Sequence, residues 1–342
     1  MRPIDSINLF VALVCVAMSA SPAMSSELNV YSARHYNLDD DLYDGFTKAT
    51  GIKVNRVEAS GDKLLARLRH EGRNSPADVL VVVDAGNLWL AEQEGFFGPA
   101  RSEGIEASIP ARLRHPDGLW FGFSTRARVI VYNKDQVTAA NMPKRYEDLA
   151  DPRWKGKVCM RSSSNVYNLS LMASLIHHLG EAKAESWARG LVANFARDPK
   201  GGDTDQILAV AAGECALSLA NTYYAVRLMK SNKEADKAAA AKFGIVFPNQ
   251  GDRGTHVNIS GAGMLKNAPH PENAIRFLEY LLSPEAQALF ASGNNEYPVV
   301  ATAAMDPVLE KLGKFKADDL GVHVLGENQA RAQKAYDRAG FK

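Results

Sequence analysis

Between Asp78 and Asp84 the chain runs Val79-Leu80-Val81-Val82-Val83, an apolar stretch with no polar interruption. A strand with one face in water alternates apolar and polar residues, whereas a continuous β-branched run is the pattern of a strand buried on both faces. This segment therefore demands a layer on each side of it, and the neighbouring patterns supply those layers. Leu28-Asn29-Val30-Tyr31-Ser32 reads as a short strand, followed by a polar turn at Arg34-His35-Tyr36-Asn37. A helical pattern opens near Leu38, carries Leu42 and Phe46 on one face and stops at Gly51. Residues 52–57 alternate like a strand, and Leu64, Leu65 and Leu68 mark a second amphipathic helix. A third helical stretch follows the apolar run over about 87–94 and ends at Gly95. Strand and helix alternate through the first hundred residues, which predicts a mostly parallel sheet with helices on both faces.

Two later segments, 122–133 and 244–248, are extended and suit crossings from one lobe to another and back. Helical patterns lie at about 168–178, 182–194 and 203–212, and a strand-like run from Cys215 to Ala220 follows them. Asn258 to Leu265 is small and strand-like. Helices are expected after Pro271 and from Pro284, where proline suits a first turn, and again over about 327–339. The length of 342 residues is that of about two domains. The fold expected is α/β, with two lobes joined by hinge strands and a ligand cleft between them, since ligands of open α/β sheets sit at the carboxyl ends of strands.

A formal net charge of +1 argues against a general electrostatic role on nucleic acid. Arg2, an apolar stretch from Ile7 to about Met18 and the small residues Ser21-Pro22-Ala23 read as a cleaved secretory signal over 1–23. Val14 ahead of Cys15 is a poor fit for lipid attachment. Export to the periplasm is the expectation. Removing the signal leaves Cys159 and Cys215, both in strand-like segments, as a candidate disulfide. The alternative is a pair of buried free thiols.

The candidate chemistry centres on Tyr223-Tyr224, fed directly by the strand-like run before it. Adjacent residues on a strand point to opposite faces. If Asn221 caps a helix beginning at Thr222, the two rings lie about 100° apart instead and can lean into one cleft. A phenolate is a hard anionic ligand suited to a small, highly charged cation such as Fe(III). The alternative is an ordinary aromatic pair at a strand–helix junction. His35, Tyr36 and Tyr167 complete a candidate constellation of phenols and one imidazole. Phenol has an ordinary pKa of about 10, so metal binding there depends on pH and releases protons. Arg126 and Arg128 share one strand face, which can hold an anion, hydrogen-bond the phenolates or lie in solvent. Arg227 falls on the same helical side as Tyr224. The run Ser162-Ser163-Ser164-Asn165 suits a cap for a helix starting near Asn168, and Asp84 either faces the cleft or caps the helix after it. His177-His178 is read as a surface pair whose rings diverge. No nucleophile elbow, phosphate loop or His-Glu-x-x-His motif is present, nor a carboxylate or cysteine pattern of the calcium or zinc kind.

Seven blocks occur in order: Val30-Tyr31-Ser32-Ala33-Arg34-His35-Tyr36, Ser75-Pro76-Ala77-Asp78-Val79, Arg126-Ala127-Arg128-Val129, Trp154-Lys155-Gly156-Lys157-Val158-Cys159, Asn221-Thr222-Tyr223-Tyr224, Arg253-Gly254-Thr255-His256-Val257-Asn258 and Gly293-Asn294-Asn295-Glu296-Tyr297-Pro298. With them the chain resembles the periplasmic ferric iron-binding proteins of bacterial iron ABC importers, in their cyanobacterial-type branch. The resemblance spans nearly the whole chain after the signal. It implies a type II periplasmic binding fold, with one lobe from 27–125 and 252–300 and the other from 126–251 and 301–342. It implies Tyr36, Tyr167, Tyr223 and Tyr224 as ligands of one Fe(III), with His35 a fifth ligand in some members. Arg126 or Arg128 is similar to an arginine that supports a synergistic anion such as carbonate, and Arg227 matches a position near the metal. Delivery to an inner-membrane ABC permease, a monomer and no enzymatic activity complete the expectation. The alternatives are another small ligand (thiamine, a phosphate ester or a polyamine) and Fe(II) as the cellular form.

Overall fold

The computed structural model describes residues 27–34 and 39–342. The predicted signal, His35 and Tyr36 lie outside the described residues. Among the described residues, nine strands form one curled sheet: β1 (Glu27–Ser32), β2 (Lys53–Glu58), β3 (Val79–Val83), β4 (Phe121–Asn133), β5 (Val158–Cys159), β6 (Leu217–Asn221), β7 (Phe243–Val246), β8 (Val257–Met264) and β9 (Tyr297–Pro298). The order is β2-β1-β3-β8-β4-β6-β5, with β7 and β9 added against β4.

The apolar run at 79–83 is the strand it was read to be. β3 pairs parallel to β1 on one side and antiparallel to β8 on the other, and Val79, Leu80 and Val82 have no solvent exposure. The expected mostly parallel sheet holds for β2-β1-β3 and for the β5–β6 pair. The pairings β3–β8, β8–β4 and β4–β6 are antiparallel. The reason lies in β4 and β8, which run past each other in opposite directions through the middle of the sheet.

β4 is the long crossing strand. Its first half, to Ala127, pairs with β8, and its second half, from Arg128, pairs with β6 and β7. The extended segment 244–248 does not make the return crossing. It supplies β7, which lies along the far half of β4, and β8 runs with the near half. Side chains alternate along β4 as strand geometry requires. Ile130 enters a core with Trp154, Leu175, Trp187 and Tyr336, while Val129 and Val131 enter another with Ile207, Val210 and Phe243. The other half of the molecule has its own core, in which Phe46, Leu64, Leu80, Trp120, Phe121 and Phe277 pack together.

Cys159 and Cys215 are disulfide-bonded, with Cα atoms 5.8 Å apart, joining β5 to the residues that lead into β6. The Val166–Leu179 helix starts two residues earlier than its apolar pattern implied. Asn165 is its cap, accepting from the Tyr167 N–H at 3.0 Å. The Asp203–Ala211 and Thr222–Lys230 helices lie where the sequence placed them. No helix among the described residues is long and apolar enough to cross a membrane.

Candidate metal centre

The Thr222–Lys230 helix begins directly after β6, so Tyr223 and Tyr224 stand in its first turn. Their rings lie 4.2 Å apart between centroids and 35° from parallel, leaning together rather than to opposite faces of a strand. Tyr167, in the first turn of the Val166–Leu179 helix, accepts a hydrogen bond of 3.0 Å from the Tyr223 hydroxyl at its own hydroxyl. Three phenols from two helix N-termini thus meet, and two of their oxygens are in direct contact. Tyr223 is buried, while Tyr224 and Tyr167 keep some exposure. Both helix ends point N–H groups and the positive pole of their dipoles toward this region, which favours negative charge.

Asn221 stands at the cap position expected of it, but its side chain makes no capping bond. Its Oδ1 accepts instead from Arg128 Nη1 at 3.0 Å. The charged guanidinium is a stronger donor than a backbone N–H and takes the oxygen.

Arginines surround the phenols. The guanidinium carbons of Arg161, Arg126 and Arg128 lie 5.2, 5.6 and 5.9 Å from the centre of the Tyr167 ring, and that of Arg227 lies 5.6 Å from the Tyr224 ring. Arg126 and Arg128 are buried, not a solvated strand face. Arg126 sits 3.6 Å from Asp84 and 3.9 Å from Glu296. Arg128 pairs with Asp203 at 3.0 Å and donates to Asn168 Oδ1 at 2.7 Å, and Arg161 reaches the other oxygen of Asp203 at 3.1 Å. Burial works against the charged form of Arg126, yet Asp84, Tyr223, Glu296 and Tyr167 outweigh it and raise the pKa above the ordinary arginine value. Arg161 follows the same pattern: burial opposes its charge, and Asp203 with the two nearby phenols overcomes it.

Asp84 both caps and faces inward. It accepts from the Gly86 N–H at 3.0 Å, from Ser170 Oγ at 2.7 Å and from Asn258 Nδ2 at 2.9 Å, in a backbone conformation of φ 79°. Complete burial raises its pKa, and Arg126 is the main force holding it down. Ser170 belongs to the Tyr167 helix, so this bond ties that helix to the end of β3.

The charge count explains what so many arginines do beside a candidate cation site. Arg34, Arg126, Arg128 and Arg161 are paired with Asp39, Glu296, Asp84 and Asp203. With all eight ionised these four arginines and four carboxylates cancel, and Arg227 beside Tyr224 adds one positive charge. A nearby cation favours the charged form of a phenol, and three phenolates would carry three negative charges into this surround. Among the described residues no group of three His, Cys, Asp or Glu is arranged to hold a metal ion.

Arg161, Asp203, Glu296 and Asn168 had no place in the reading of the sequence. Their partners lie 42 residues away for Arg161–Asp203, 75 for Arg128–Asp203 and 172 for Ser124–Glu296. Asp203 is a first-turn acid of its helix that the sequence reading did not single out, and Glu296 stood inside a matched block without a role. His178 is more than a surface residue, since its Nε2 lies 2.7 Å from Asp318 Oδ2.

A family model described as bacterial extracellular solute-binding protein matches residues 74–319. Iron uptake protein A1 of Synechocystis is 52% identical over 322 residues, covering 94% of this chain and 89% of that protein. A Trichodesmium structure described as FutA (IdiA) in complex with iron and citrate ligands superposes with a TM-score of 0.89 at 56% identity, over 92% of this chain and all of that one. The ferric binding protein of Campylobacter jejuni superposes with a TM-score of 0.87 at 42% identity, again over 92% of this chain and all of that one. The two α/β halves are those of the two-lobe type II periplasmic binding fold. The chain belongs to the bacterial extracellular solute-binding proteins, in their group of periplasmic iron-binding members.

Proposed function

We propose that this protein binds one Fe(III) between its lobes through tyrosine phenolates and hands it to an ABC permease for uptake. The observation that carries this reading is the meeting of Tyr167, Tyr223 and Tyr224, with a 3.0 Å contact between the first two hydroxyls, inside a shell of paired arginines and carboxylates. Tyr36 and His35 are assigned from the sequence as further ligands. Arg126, Arg128 and Arg227 shape the field around the phenolates. Arg126 Nη2 is buried without a hydrogen-bond acceptor among the described residues, and it is our candidate to hold an anion such as carbonate beside the metal.

The lobes are proposed as 27–125 with 252–300 and 126–251 with 301–342. Within the latter, Val322 and Leu325 pack into the first lobe's core, so the two are laced together near the His323–Glu327 helix. Binding selects the closed arrangement of the lobes, and the ion does no covalent chemistry. Release follows phenolate protonation, reduction to Fe(II) or opening on the permease. We further propose a cleaved export signal, a periplasmic location and a monomer.

Visible absorption tests the ligand set. Added Fe(III) is expected to raise a phenolate-to-iron charge-transfer band that saturates at one equivalent and disappears in a Tyr223→Phe/Tyr224→Phe variant. Full iron loading with no such band would refute tyrosine ligation, and no loading would refute the iron reading itself.

A further inference from the structure

We infer that Asp203 is the positioning residue that holds the three described tyrosines in one array. The inference rests on the tyrosine reading above and deepens it. Asp203 is fully buried at the start of its helix. Its two oxygens gather the three elements that carry or flank the phenols. Oδ2 accepts from the backbone N–H of Asn221 at 2.8 Å, two residues before Tyr223 and at the end of β6. The same oxygen accepts from Arg128 Nη1 at 3.0 Å on the crossing strand β4. Oδ1 accepts from Arg161 Nη1 at 3.1 Å, just ahead of the Tyr167 helix.

The two arginines carry the restraint onward. Arg128 donates to Asn168 Oδ1 at 2.7 Å, next to Tyr167, and to Asn221 Oδ1 at 3.0 Å. Asn168 Nδ2 donates to the carbonyls of Arg161 at 3.2 Å and Ser162 at 3.0 Å, closing the circuit. Both guanidiniums lie against the Tyr167 ring. One carboxylate therefore fixes where both helix N-termini begin and how the guanidiniums stand beside the ring. It also sets one negative charge against two of the guanidiniums that would repel an incoming cation. Metal ligands depend on such outer partners for orientation, and losing one typically costs about 10–100-fold in affinity.

The test compares Asp203→Asn with Asn194→Ala. Asn194 is a buried residue of the same lobe that holds the Leu149 and Asp151 carbonyls and makes no contact with this circuit. Fe(III) affinity is measured by competition against a chelator, band position and intensity by visible absorption, and folding of the iron-free proteins by urea unfolding. Asp203→Asn is expected to bind about 10–100-fold more weakly, with a weaker and displaced charge-transfer band. Asn194→Ala is expected to lose stability and keep the wild-type band and affinity. If Asp203→Asn does not fold, Asp203→Asn/Arg161→Gln removes the uncompensated charge, and the same loss of affinity and change of band is expected of it. Wild-type affinity and band in the folded Asp203 variant, or an equal loss in Asn194→Ala, would overturn the assignment. A wild-type protein that loads iron without the band would overturn the tyrosine reading beneath it.

Discussion

His256 contributes one share of this protein's acid stability that can be worked from a single side chain. It is buried just ahead of β8 in the chain, its backbone N–H donating to the Tyr146 hydroxyl at 3.1 Å and its carbonyl accepting from the Arg128 N–H at 3.0 Å. Burial, and after it the charges of Arg128, Arg126, His178 and Arg253, pull its pKa from 6.5 to about 3. An unfolded chain restores the ordinary value of about 6.5. Between these values the unfolded state binds a proton that the folded state refuses. Stability from this residue is therefore fully present above about pH 6.5, falls as the pH drops and levels off below about pH 3. A shift of about 3.5 units at 1.36 kcal/mol each makes the whole effect about 5 kcal/mol, of which about 2 kcal/mol is lost by pH 5. Carboxylates contribute to acid unfolding too, so the measurement is a difference. Urea unfolding of the iron-free protein and of His256→Gln, each at about pH 7.5 and about pH 5, isolates the imidazole. The wild type is expected to lose about 2 kcal/mol more than the variant across that step. Equal losses would refute the claim that a neutral, buried imidazole is part of the fold.

Three further outcomes are expected. Tyr146→Phe removes a hydroxyl that bridges the Arg128 carbonyl and the His256 N–H, leaving both buried and unmatched; a loss of about 1–3 kcal/mol in urea unfolding is expected. Cys159→Ser/Cys215→Ser opens a loop with a sequence separation of 56. Loop-closure entropy sets its effect at about 4 kcal/mol, read as the difference in unfolding free energy from the disulfide-bonded protein. Ser170→Ala takes one donor from the buried Asp84 carboxylate, and calorimetry is expected to show a loss of about 1.5–3 kcal/mol; no change would mean the bond between β3 and the Tyr167 helix contributes nothing.

Much of this protein was legible in the chain because it depends on neighbours. The two-faced burial of β3, the strand-to-helix switch at Thr222, the cap at Asn165 and the pairing of Cys159 with Cys215 are local patterns or a simple count. The tyrosine constellation was legible as residue types and as a resemblance. Local pattern predicted parallel strands, which holds for β2-β1-β3, and did not reveal the antiparallel pairings of β3 with β8 and β8 with β4. The sheet is mixed because β4 and β8 cross it in opposite senses, and nothing in either segment records which strand will lie beside it. It was also silent on the charged shell. Arg126 and Arg128 read as a face that holds an anion, bonds the phenolates or lies in solvent, and only the meeting of β4 with Asp203, Asp84 and Glu296 makes their burial tolerable by pairing each charge. Periodicity specifies which face of an element turns inward. Which charges then find one another across 75 or 262 residues is decided by the packing of whole elements, and that exists only in the folded chain.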